Sequence, residues 1–284
     1  DGRTVARARV GPTATMSTLP EPGNPSASEE DLQRMSLLEH LEEFRQRIFK
    51  SIIAVGIVFV FCWFFVREIA DFLARPIYKA LPEGTRLTFL GVTDPFIIYV
   101  KVAALVALFL ASPFVLYQIW RFVAPGLYQK ERRRAIPFIF FGSLFFVGGG
   151  AFAYYVAFPF AVDFLVGMGA AFQPMITVER YFRFLLYVIL GLGLMFELPI
   201  IIFLLAQMGV VTPGFLIRKF RWAVLLIFIA AAFVTPTPDV VNLLMFALPT
   251  IVLYLLGVGA AALVIRRKKK QENGEEQAEA QGED

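Results

Sequence analysis

The stretch HLEEFRQRIFKSIIAVGIVFVFCWFFV, residues 40–66, decides how the rest of the chain is read. From Ile48 to Val66 the only charge is Lys50. A bilayer core of about 30 Å needs roughly 20 such residues on one helix. Directly before this run stand two carboxylates, Glu42 and Glu43, and two guanidiniums, Arg45 and Arg47. Two readings compete for that doorway. One is a solvated helix end whose arginines fix orientation, with Glu43 and Arg47 as an ordinary i,i+4 pair. The other is a binding site for charge carried by another molecule.

Working outward, the composition agrees with a membrane protein. The 284 residues are 58% hydrophobic and 18% charged, against about 45–50% and about 25% for a soluble domain. Six candidate spans follow in order: Ile48 to Val66, Pro95 to Trp120, Ile136 to Phe158, Phe184 to Met208, Trp222 to Val234 and Val240 to Ile265. Ser112-Pro113 is expected to interrupt the second, and Gly148-Gly149-Gly150 sits in the third. The fifth is short, about 20 Å of helix between Arg221 and Pro236. The expected fold class is an all-α polytopic membrane protein with six transmembrane helices. Helix starts are expected at a Ser36–Glu39 capping box, at Asp94-Pro95, at Thr212-Pro213 and at Asp239.

Three regions result. Residues 1–35 are rich in Pro, Gly, Ser, Thr and Ala and are expected to be disordered, without the apolar core of a cleaved export signal. Met16 or Met35 is the candidate native start. Residues 36–265 form the six-span domain. Residues 266–284, basic then acidic, are expected to be a disordered tail. Lysine and arginine set orientation. Arg34, Arg45, Arg47 and Lys50 precede span one; Arg121, Lys130, Arg132, Arg133 and Arg134 separate spans two and three; Arg218, Lys219 and Arg221 separate four and five; and Arg266 to Lys270 follow six. The opposite loops are nearly charge-balanced, so both termini are expected in the cytoplasm.

Few residues carry chemistry. Cys62 and His40 are the only cysteine and histidine, which leaves no internal disulfide, no His-rich metal cluster and no Ser-His-Asp triad. No HExxH, GxSxG or GxxxxGK[ST] motif occurs, so protease, esterase and P-loop ATPase classes fall away. No cofactor, metal or nucleic acid is implied. Glu197, in LGLMFELPIIIF, is the acid deepest in a span, where a charge costs at least about 2.5–3.5 kcal/mol. A proton relay, a partner contact, and a protonated acid bonded to a neighbouring helix all fit it. Pro199, two residues on, kinks the helix and frees a carbonyl. A proton-coupled secondary transporter is the main rival function, but no convincing inverted repeat accompanies it.

The motifs, taken together, resemble the TatC family, the signal-receptor subunit of the twin-arginine protein translocase. HLEEFRQR (40–47) is similar to the family's HLxELRxR, with Phe44 in place of the usual Leu. The likeness continues in Ala74-Arg75-Pro76, SPFVLYQIWRFVAPGLYQKERR (112–133), FPFAVDF (158–164), MFELP (195–199) and TPTPD (235–239), the last one residue longer than the family's TPPD. The resemblance implies binding of twin-arginine signal peptides of folded proteins at the cytoplasmic face. It also implies assembly with single-span TatA- and TatB-like partners in several copies, and export across a bacterial inner membrane driven by the proton-motive force. It assigns Glu43 and Glu131 to the signal peptide, with Arg45, Phe122 and Arg133 as further motif positions. Glu197 matches an intramembrane acid concerned with partners or transport, and Pro76 and Asp239 match outer-loop positions. An enzyme is not implied. The chemistry is coherent: two planar guanidiniums in a ligand call for two separate carboxylates.

Overall fold

The computed structural model describes residues 25–81, 87–123, 135–169, 172, 175–235 and 239–281. By its contacts the chain divides into residues 1–45 and residues 46–284. The described part of the first unit is the beginning of helix α1, Pro25–Phe64. Ser36 therefore lies inside that helix and not at its start. The residues upstream, PSASEEDLQRM, offer a proline for the first turn and several good helix formers, which explains the earlier start.

In the second unit, α2 (Val66–Ala80) follows α1 after a break at Phe65. Its buried residues Val66, Ala70, Leu73, Ala74 and Ile77 recur at helical spacing, and Arg67, Glu68, Asp71 and Lys79 face outward. It is an amphipathic helix lying between two spans. α3 (Asp94–Val123) runs unbroken through Pro113, which corrects the expected interruption. A proline in a helix leaves the carbonyl four residues back without its donor. Here that carbonyl is Phe109 O, and Ser112 Oγ donates to it at 2.7 Å. Apolar surroundings require such satisfaction.

The third span comprises α4 (Ala135–Phe152), one π turn (Ala153–Ala157) and α5 (Phe158–Met168). The π turn ends just before Pro159, where a regular ladder would lack a donor. The fourth span comprises α6 (Val178–Phe196) and α7 (Leu198–Gln207), broken at Glu197. Arg180 and Arg183 lie in the first turns of α6. Thr177 caps that helix, its hydroxyl accepting from Arg180 N at 3.4 Å. α8 (Pro213–Arg218) precedes α9 (Phe220–Val234), and α10 runs Val240–Gln281. α10 thus continues past the apolar stretch into KKKQENGEEQAEAQ, where the expectation was a disordered tail. Lys, Glu, Gln and Ala are strong helix formers.

Among the described residues, five helical stretches are long and apolar enough to cross a membrane, and Phe220–Val234 is a shorter sixth. At 15 residues it rises about 22 Å, so the shortness read from the sequence is real, although Arg221 lies within its first turn. Thr212 and Asp239 cap as expected: Thr212 Oγ1 accepts from Phe215 N at 3.2 Å and Asp239 Oδ1 from Asn242 N at 2.7 Å. Asp94 behaves differently. Its Oδ2 reaches back to accept from Gly91 N at 2.7 Å and Leu90 N at 3.3 Å.

Candidate functional site

The candidate residues occupy three levels. At the α2 end of the second unit, Pro76 sits inside α2 and leaves Phe72 O without its helical donor. Tyr154, in the π turn, donates its hydroxyl to that carbonyl at 2.6 Å, and its ring stacks on Phe72 with centroids 4.8 Å apart. Beside it, Tyr181 OH donates to Leu73 O at 2.7 Å. Nearby, Thr88 and Thr177 form an isolated bridge, with Val178 N donating to Thr88 O at 2.8 Å. Asp239, at the start of α10, accepts from both the backbone N and the side-chain Nδ2 of Asn242, at 2.7 and 2.8 Å. Pro76 and Asp239 therefore shape backbone.

Glu197 occupies the second level. It is 9% exposed, at the joint where α6 ends and α7 begins. A methyl group added at Gly142 would stand 2.9 Å from Leu116 Cδ1 and 3.5 Å from Glu197 Oε2, so the carboxylate faces α3 and α4 across a glycine. Leu116, whose Cδ1 is the other neighbour of that position, belongs to a small buried cluster with Trp120, Phe138 and Ile200. Glu197 Oε1 is buried and has no hydrogen-bond partner. A buried polar oxygen left unmatched costs on the order of 1–3 kcal/mol.

The third level is the C-terminal end of α3. Phe122 is half-buried in its last turn. One turn earlier Gln118, 4% exposed, accepts from Arg47 Nη1 at 3.4 Å. Trp120 and Phe138 pack with ring centroids 4.8 Å apart, tying the end of α3 to the start of α4. These helices bracket residues 124–134. Glu131 and Arg133 fall in that segment, outside the described residues. Glu43 and Arg45 lie on α1 in the first unit, Glu43 half-buried and Arg45 exposed. Sequence reasoning overlooked Gln118; a polar residue on the otherwise apolar run before Trp120 was the available signal. From Leu116, the level of Glu197, to Val123 is about 10 Å of helix rise. Among the described residues no cluster of His, Cys, Asp or Glu is arranged for a metal ion.

A family model described as Sec-independent protein translocase protein (TatC) matches residues 39–249. A relative from Koribacter versatilis (strain Ellin345), named Sec-independent protein translocase protein TatC, is 48% identical over 255 residues, covering 88% of this chain and 94% of its own. One of the same name from Helicobacter pylori (strain J99 / ATCC 700824) is 38% identical over 241 residues, covering 84% and 94%. Among solved structures, one described as the twin arginine translocase receptor TatC superposes with a TM-score of 0.70 at 35% identity, covering 79% of this chain and 98% of that one. A second, in DDM, gives 0.72 at 34% identity, with coverage of 78% and 99%. With the six-span architecture and the motif positions in hand, these likenesses decide the matter: the chain belongs to the TatC family of protein translocase membrane subunits, and is not an enzyme.

Proposed function

We propose that this chain recognises the twin-arginine signal of folded proteins through Glu43 and Glu131, aided by Arg45, Phe122 and Arg133. It then assembles, in several copies, with single-span TatA- and TatB-like proteins for export driven by the proton-motive force. Both termini lie in the cytoplasm of a bacterial cell and the spans cross its inner membrane, in keeping with the excess of Lys and Arg at one set of loops. The reading rests chiefly on one contact. Arg47, the last residue of HLEEFRQR, donates to Gln118 one turn before Phe122, at the end of α3 that leads into the segment carrying Glu131. Glu197, unmatched at one oxygen and about 10 Å of helix rise deeper, serves partner assembly or transport.

The test is peptide binding to the purified protein, with twin-arginine and twin-lysine signals compared. A hydrogen bond to a charged group contributes roughly 1.5–3 kcal/mol, so Glu131→Gln weakens twin-arginine binding about 10- to 150-fold. The loss is clearly smaller against twin-lysine, which lacks the bidentate fork, and it shrinks as salt shortens the Debye length below about 8 Å. Equal losses with both peptides would reduce the acid to a loop-shaping role. In the same assay Glu197→Ala stays within about threefold of the parent while export falls. A collapse of peptide affinity in that variant would overturn the division between the two levels.

A further inference from the structure

Lys101 is a cation that the signal-binding reading leaves unused. It stands inside the apolar span α3, exposed, and has no hydrogen bond or ion pair among the described residues. Across a groove of about 360 Å³ stands Arg183 of α6, and Ala104, Leu108, Tyr187 and Leu190 continue the walls. Lys101 lies about 10 Å of helix rise into α3 and Arg183 about 8 Å into α6. Both cations are therefore at the same end of their parallel spans, the end that carries α2 and the Thr88–Thr177 bridge. Below them the lining is almost wholly apolar. Glu179 lies 3.6 Å from Arg183 Nη1 in an exposed i,i+4 pair. Such an exposed pair is weak, and it leaves most of the guanidinium's five donors available.

We infer that this groove is a binding site for one anionic glycerophospholipid of the leaflet at the α2 end, its phosphate held by Lys101 and Arg183 and an acyl chain laid between α3 and α6. Three physical points select that occupant. A cation within a span is costly unless an anion meets it, and lipid phosphates supply one at this depth. Guanidinium binds phosphate bidentately and ammonium binds it as a point charge. The groove volume falls in the about 300–1,000 Å³ range that holds small ligands, with the few-polar, mostly apolar lining such sites share. An apolar partner helix would fill the lower groove and leave the two cations unmatched. Free phosphate would satisfy the cations and leave the apolar walls empty.

The test is native mass spectrometry of the full chain in mild detergent, titrated separately with phosphatidylglycerol, phosphatidylcholine and inorganic phosphate. Phosphatidylglycerol binds at least tenfold more tightly than phosphatidylcholine, and inorganic phosphate competes poorly. Lys101→Gln with Arg183→Gln removes that preference. Ala104→Trp, which fills the exposed groove wall and keeps both charges, lowers the affinity for both lipids. Lys79→Gln, on the outer face of α2, changes nothing. The inference is overturned by equal affinity for the two lipids, by an unchanged preference in the double variant, by full competition from inorganic phosphate, or by indifference to Ala104→Trp. Circular dichroism of each variant separates lost binding from lost folding.

Discussion

Two spans of similar apolar composition meet opposite fates in this molecule. Of the apolar window in α1, 6% is buried by protein; in the α6–α7 span the figure is 56%. Their mean hydropathies, 2.0 and 2.6, both suit a bilayer, because lipid tails are as apolar as leucine. What distinguishes them is where the small residues fall. Gly193 of α6 faces the ring of Phe109, and a Cβ there would stand 2.9 Å from Phe109 Cζ and 3.2 Å from Phe146 Cε2. Gly150 approaches the same Cε1–Cζ edge, which a Cβ there would collide with, while Phe109 and Phe146 stack with centroids 4.3 Å apart. The edge of the ring fits where two glycines leave room for it. Gly56 of α1 has nothing within 4 Å of its missing Cβ. One span is gripped by other helices of the chain, and the other is left uncovered by them along most of its length.

The harshest way to break this contrast is Gly193→Val. Overpacking a tight interior costs about 1–3 kcal/mol, and the trapped ring puts this site near the top of that range. The expected result is a fall of about 5–10 °C in the unfolding midpoint in mild detergent. Phe109→Leu in the same chain recovers part of the loss. A Gly193→Val protein as stable as its parent would show that the ring has room to move.

A milder test addresses the clamp on α2. Tyr154→Phe leaves Phe72 O without its 2.6 Å donor, at a cost of about 1–2 kcal/mol. Pro76→Ala restores a backbone N–H to the same carbonyl. In a double-mutant cycle the second change therefore offsets the first, with a coupling of about 1 kcal/mol. Additive losses would mean that the tyrosine and the proline act separately. The smallest effect belongs to Gly56→Val, the same substitution as the first prediction but on α1. It should stay within about 0.5 kcal/mol, and a larger loss would reveal a protein neighbour for that face.

How much of this was legible beforehand follows from where each partner sits in the chain. All six spans could be read, because length and apolarity are local properties. So could the caps at Thr212 and Asp239, whose partners lie three residues away. Pro113 was misread as a break because the rescue of Phe109 O depends on which way one serine hydroxyl turns. The role of Pro76 was invisible, since its hydroxyl donor comes from Tyr154, in another span. Lys101 was passed over as an isolated charge because nothing in the sequence sets it opposite Arg183. For the signal site, Glu43, Arg45 and Phe122 sit on described helices, whereas Glu131 and Arg133 rest on motif and chemistry alone.

The shortness of α9 has an electrical consequence. Its outward residues Trp222, Leu225, Leu226, Ile229 and Phe233 are exposed, and only Ile227 and Ala231 are buried. This chain therefore leaves most of a helix that rises about 22 Å uncovered, against a usual hydrocarbon thickness of about 30 Å. Where the hydrocarbon follows the helix, the same transmembrane voltage drops over roughly three-quarters of the distance. The local field is then about a third stronger than in the bulk bilayer. Moving one charge across still yields about 2.3 kcal/mol per 100 mV, but here that work is compressed into fewer ångströms. A charged segment passing beside α9 would feel a steeper pull than anywhere else along this protein's perimeter. Lengthening the helix by two apolar turns would flatten that field, and export that kept its voltage dependence afterwards would rule the effect out.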